Sequence, residues 1–111
     1  QGPGFLIINA KDHIKDTIIG TIASILSNSS MYEEGTMITT MAYYEDKIKV
    51  SARNVGRVGR NVHEILDSVV ADIGGEVGGH EFAAGCMIEK SQEKRFIESL
   101  VKSFEVELVK V

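Results

Sequence analysis

TMITTMAYYEDKIKVSARN, residues 36–54, is the stretch that decides the fold. Its first half, Thr36 to Tyr44, is crowded with threonine, tyrosine and isoleucine, side chains that suit a pleated, half-buried surface. Glu45-Asp46 supplies a turn, and Lys47 to Asn54 returns as a second strand, so the segment reads as a hairpin. Strand side chains alternate between faces. Ile48, Val50 and Ala52 therefore point together into a core, and Lys47, Lys49, Ser51 and Arg53 point together the other way.

Working outward, Phe5 to Asn9 is a short apolar run that reads as a buried strand. Asp16 or Thr17 is expected to cap a helix in which Ile18, Ile19, Ile22, Ile25 and Leu26 recur at helical spacing. The Ser27–Ser30 cluster, with Asn28, ends it. After the hairpin, Gly56 and Gly59 interrupt regular structure. Asn61, with Glu64 three residues on, starts a second helix. Its apolar stripe is Val62, Ile65, Leu66, Val69, Val70 and Ile73, and Gly74-Gly75 stops it. Phe82 to Glu89 reads as a strand. Ser91 is expected to cap a last helix, with Phe96, Ile97, Leu100, Val101 and Phe104 facing inward, and Val106 to Val111 reads as a closing strand. The expected class is α/β, a mixed sheet with packed helices in the order β-α-β-β-α-β-α-β. No internal repeat, low-complexity stretch or domain boundary divides residues 1–111, so the chain reads as a single domain.

Composition narrows the function classes. A chain of 111 residues suits one domain with its own core. A hydrophobic fraction of 43% and a charged fraction of 25% are ordinary for a soluble globular protein. The formal net charge of -4 argues against a dedicated duplex-DNA binder, whose surface would be broadly basic. No run of apolar residues is long enough to span a membrane, and no basic-then-apolar leader opens the chain. The one cysteine, Cys86, has no internal partner, which points to a reducing, cytoplasmic setting. Gln1-Gly2-Pro3 suits either a protease-cleavage scar or native linker.

Two polar features carry chemistry. From Lys47 to Arg60 there are five basic residues and no acidic one, in a chain that is net negative. Such segregation makes a local positive field that attracts phosphates; a solvated edge strand whose lysines block aggregation has the same pattern. The second feature is the run Gly78-Gly79-His80-Glu81-Phe82-Ala83-Ala84-Gly85. Two glycines free the backbone to approach a ligand or adopt positive φ, a histidine follows, and small residues leave room around it. Arg53 offers a planar fork to a phosphate or base edge, Ser51 a hydroxyl, and backbone N–H groups around Gly78-Gly79 an anion-binding nest. His80 is either a donor or stacking group for a ligand or a histidine satisfied by backbone. Phe82 either supports that loop or packs in the core.

The other candidates are plainer. His13 reads as a helix-entry surface residue and His63 as an exposed residue in a first helical turn. Neither has the three or four convergent partners a metal needs. Cys86, next to small residues with no basic neighbour, reads as a buried inert thiol. The methionines read as core filler, and Glu33-Glu34, Glu93 and Glu98 as solvated surface.

The Ser51-Ala52-Arg53 triplet followed, one helix later, by Gly78-Gly79-His80 and Ala83-Ala84-Gly85 resembles the DHH-associated domain, the C-terminal domain of the DHH phosphoesterases. Asn9-Ala10-Lys11-Asp12, with Ile19-Gly20-Thr21-Ile22-Ala23-Ser24 after it, is similar to the family's opening strand and helix, so the resemblance covers nearly the whole chain. One position departs: many members carry a third glycine before the pair, and here it is Val77. The resemblance implies a substrate-gripping domain from a larger RecJ-like phosphoesterase or exonuclease. Ser51, Arg53, Gly78, Gly79, His80 and Ala84 would hold a phosphate, with Lys47, Lys49, Arg57 and Arg60 as a basic rim. It implies single-stranded nucleic acid or a small nucleotide as ligand, and an N-terminal DHH catalytic domain in cis. Manganese or magnesium would be held in that domain, with no cofactor, metal or catalytic residue in this one. Two alternatives stay open: a tRNA-binding or editing module like the C-terminal domain of alanyl-tRNA synthetase, and a replication-associated scaffold domain.

Overall fold

The computed structural model describes residues 4–110, with side chains through residue 103. The strands are β1 (Phe5–Asn9), β2 (Met37–Tyr44), β3 (Lys47–Asn54), β4 (Glu76–His80) and β5 (Ala83–Glu89). The helices are α1 (Ile19–Ser27), α2 (Val62–Ile73) and α3 (Glu93–Lys110). The strands form one mixed sheet in the order β1-β2-β3-β5-β4. β1 runs parallel to β2, and every other neighbouring pair is antiparallel. The expected class is therefore the observed one, an α/β fold with a mixed sheet and packed helices.

Hydrophobic alternation sets the two faces. Ile48, Val50 and Ala52 on β3 join Met37 and Met41 of β2 and Ala84, Cys86 and Ile88 of β5 in one core. Val62, Leu66, Val69 and Val70 of α2 and Phe96 and Leu100 of α3 close over it. α1 packs on the opposite face, against β2 and β3. Asn61 caps α2 as its spacing requires, its Oδ1 accepting from the Glu64 N–H at 3.1 Å. Gly74 ends the helix with φ +84°.

Several local expectations are corrected. Neither Asp16 nor Thr17 caps α1 with its side chain, because a 3₁₀ turn, Asp16–Ile18, leads straight into it. Ser91 likewise lies inside a 3₁₀ turn, Lys90–Gln92, that runs into α3. On α1 the buried residues are Ile19, Ala23 and Ser27, and Ile18 and Ile25 stand 47% and 63% exposed. The helix turns its narrow face to the sheet because small side chains permit the closer approach. Gly78-Gly79-His80, read as a loop, is the end of β4, an edge strand paired only with β5. The closing strand at Val106–Val111 does not form over its described part, because α3 continues to Lys110. No glycine or proline separates the two segments, and extending a helix costs less than nucleating a new strand. Gln1–Pro3, Val111 and the side chain of Phe104 lie outside the described residues.

Candidate nucleic-acid interface

The sheet register builds the site. Ser51 on β3 faces Gly85 on β5, which faces Gly78 on β4. Arg53 faces Ala83, which faces His80. Directly paired residues share a face, so Ser51, Gly85 and Gly78 form one row and Arg53, Ala83 and His80 the next. Both rows lie on the sheet face that carries α1, away from the main core. β5 lies between the two polar strands, which sets Arg53 and His80 roughly 9–10 Å apart at the backbone, two strand spacings. Side chains of that length span the gap from both sides.

These rows line an open groove of about 540 Å³ together with Thr17 from the 3₁₀ turn, Gly20 and Thr21 from the start of α1, and Lys49 from β3. No aspartate or glutamate lines it. Of the residues singled out from sequence, Ser51, Arg53, Gly78, Gly79, His80, Ala84 and Lys49 all border the groove. Ala84 does so through its backbone, since its methyl belongs to the core. Lys47, Arg57 and Arg60 do not line it. Lys47 lies opposite Glu89 in the β3–β5 register and pairs with it, an ion pair that raises the lysine pKa. The Arg57 guanidinium sits 5.4 Å from the centroid of the Phe82 ring. The contributors that sequence reasoning missed are Thr17, Gly20 and Thr21, since only the packing of α1 on β3 brings them here.

The glycines divide by cause. A Cβ on Gly79, whose φ is +126°, would lie 2.4 Å from the Ala83 carbonyl oxygen, and one on Gly85 would lie 2.9 Å from that of Val50. Both are demanded by the chain's own backbone. A Cβ on Gly78 meets nothing within 4 Å, so the fold leaves that part of the floor bare. Val77, where relatives were expected to carry another glycine, pairs with Cys86 and packs against the core, off the groove.

His80 is exposed, and its Nδ1 accepts the Phe82 N–H at 3.2 Å. In the neutral ring that bond places the proton on Nε2, which leaves a donor free for a ligand. The Phe82 ring meets the His80 ring edge-on at 6.5 Å and so supports it. The turn between β4 and β5 is anchored twice: the Val62 N–H donates to the Glu81 carbonyl at 2.8 Å, and the Asn54 N–H to that of Phe82 at 3.0 Å. Cys86 is buried, and burial pushes its thiol up to about 12, which keeps it protonated and unreactive. Among the described residues no three His, Cys, Asp or Glu side chains gather to hold a metal ion, and no helix is long and apolar enough to cross a membrane. His13 is exposed and His63 half-buried on separate elements.

No curated protein matches the sequence. Among solved structures, the C-Ala domain of Aquifex aeolicus alanyl-tRNA synthetase superimposes with a TM-score of 0.65 at 15% identity, over 90% of this chain and 88% of that one. The pGpG-specific phosphodiesterase PggH of Vibrio cholerae superimposes with a TM-score of 0.56 at 17% identity, over 91% of this chain and 33% of that one. This chain thus spans a third of the length of that phosphodiesterase. At such identities the likeness is one of fold. The family is shown by sequence: the DHHA1 domain model matches residues 3–106, and the chain belongs to the DHHA1 domain family.

Proposed function

We propose that this domain grips single-stranded nucleic acid or a small nucleotide by its phosphates, for a RecJ-like phosphoesterase whose chemistry resides in a separate DHH domain. Domains of this family typically follow an N-terminal DHH catalytic domain in the same chain. The observation that carries the reading is the groove: Ser51, Arg53, Lys49 and His80 border a bare glycine floor, and no carboxylate is among the residues that line it. Arg53 and Lys49 supply fixed charge, Ser51 and His80 add further donors, and the floor lets a sugar–phosphate chain lie against backbone. Such positioning turns binding energy into rate at a neighbouring centre. The metal ions of that centre, manganese or magnesium, would be held in the DHH domain. The free, buried Cys86 suits the reducing cytoplasm.

The test is fluorescence anisotropy with 3′-labelled tetranucleotides. Arg53→Ala is expected to weaken binding by about 1–3 kcal/mol, the range for a bidentate arginine contact. Lys47→Ala should change little, because Lys47 already pairs with Glu89 away from the groove. Equal small losses for both would refute a defined pocket. A second reading, tRNA binding, is favoured by the whole-domain match to the synthetase C-Ala domain. It requires tight binding of folded tRNA, unaffected by Arg53→Ala, and no competition from short single strands.

A further inference from the structure

The residues that α1 and the 3₁₀ turn before it bring to the groove are chemically unlike those of β3, the strand α1 packs on. Lys49 and Arg53 make that strand cationic, whereas Thr17 and Thr21 beside it offer only neutral hydroxyls. The two threonines sit about one helical turn apart, both exposed. Serine and threonine in helices commonly return their hydroxyl to a carbonyl one turn back. Ser27 does so in this same helix, donating to the Ser24 carbonyl at 2.9 Å, as Ser103 does to that of Ser99 at 3.0 Å. Thr17 and Thr21 do not: their hydroxyls have no hydrogen-bond partner among the described residues.

This border of the groove is also fixed in place. Thr40, 2% exposed, has its hydroxyl 3.1 Å from the Ile19 carbonyl oxygen and 3.3 Å from that of Ser51. One buried side chain thereby ties the first turn of α1 to the strand that carries the phosphate-facing residues. Gly20 lies close to the same strand: a Cβ there would make ordinary contact with the Ser51 Oγ, at 3.8 Å. The free hydroxyls are thus held at a set separation from Ser51 and Arg53.

We infer that Thr17 and Thr21 form a sugar-reading wall, so that the groove takes ribonucleotides in preference to deoxyribonucleotides. This rests on the proposal that the groove binds a phosphate-linked strand. With the phosphate drawn to Lys49 and Arg53 on β3, the flank of the same nucleotide lies beside the threonines that border that strand. A sugar hydroxyl both donates and accepts, as a threonine hydroxyl does, and the two complement each other without charge. The 2′-hydroxyl is the group by which a site can tell RNA from DNA. Adding it supplies a partner to hydroxyls that the protein leaves free; removing it costs that bond alone, because the threonines then return to water.

The experiment compares 3′-labelled tetraadenylate in its ribo and 2′-deoxy forms by anisotropy. The proteins are wild type, the double variants T17V/T21V and T17S/T21S, and R53A, with melting curves to verify the fold. Both threonines are exposed and valine is their isostere, so the fold should survive. Wild type is expected to hold the ribo form about three- to tenfold tighter, the worth of one or two net hydrogen bonds. T17V/T21V should erase the ribo-over-deoxy preference, and T17S/T21S should restore it. R53A should weaken both forms and keep their ratio. Equal affinities in wild type, or a ratio that survives T17V/T21V, overturns the sugar-reading wall and leaves the groove standing. Binding of neither form, or binding indifferent to R53A, brings down the groove reading and this inference with it.

Discussion

Adjacent glycines in β4 should respond to alanine in opposite directions. Gly79→Ala places a methyl where the backbone has φ +126°, 2.4 Å from the Ala83 carbonyl oxygen and 2.6 Å from the Ala84 Cα. A disallowed backbone conformation costs about 1–3 kcal/mol. Relaxed carbon contacts lie near ~3.5–4.0 Å, so the edge strand must also shift by about an ångström, at the expense of its ladder with β5. Together these come to about 3–4 kcal/mol, a large share of a small domain's ~5–15 kcal/mol. The melting temperature should fall by roughly 12 °C or more. Gly78→Ala meets nothing within 4 Å and needs no positive φ. It should raise stability by about 0.4–1 kcal/mol by restricting the unfolded chain. Its methyl nonetheless enters the groove in the row of Gly85 and Ser51. Tetranucleotide affinity should drop about tenfold, or ~1.4 kcal/mol. Melting curves followed by circular dichroism, paired with anisotropy titrations, read both effects. A Gly78→Ala protein as destabilised as Gly79→Ala, or one that binds as wild type does, would refute the division of the glycines into one the fold demands and one the ligand demands.

His80→Ala should weaken tetranucleotide binding severalfold with little change in melting temperature, because the ring is exposed; the reverse pattern would make His80 a structural residue. Burial works to raise the Glu93 carboxyl pKa, yet hydrogen bonds from Asn9 and Tyr43, with Lys11 and Lys90 nearby, hold it below the ordinary 4.5. Its stabilisation is therefore complete above that value and lost as pH falls through the depressed pKa, so acid titrations of unfolding should be flatter for Glu93→Gln than for wild type. Cys86 should resist thiol reagents at neutral pH and react at the rate of unfolding in denaturant; fast labelling of the native protein would contradict its burial.

What was legible in the sequence was what depends on local pattern. The alternation Lys47 to Arg53 gave the strand, its two faces and the polar half of the site, because a pleat leaves no other choice. Asn61 and Gly74 marked the ends of α2 through their own backbone and side-chain chemistry. Gly78-Gly79 hid β4, since glycine carries no strand preference and only the partner β5 makes that segment extended. Lys47 looked like part of a basic rim because its neutralising partner, Glu89, is remote in sequence and adjacent only in the sheet. Thr17 and Thr21 were passed over because a helix with isoleucines on more than one side does not declare which face it will bury; Ala23 and Ser27 settled that by letting α1 lie close.

The insertion of β5 between β3 and β4 has a consequence for when the site comes into being. β4 precedes β5 in the chain yet touches the rest of the sheet only through it. During synthesis the hairpin of β2 and β3 is complete well before Glu89 emerges, but both walls stay unconnected until β5 wedges between them. β5 acts as a keystone: withdrawing it separates Arg53 from His80 in a single event, and a ligand that touches both holds it in. Binding should therefore slow hydrogen exchange along the backbone of β5, a strand whose side chains supply almost none of the contacts.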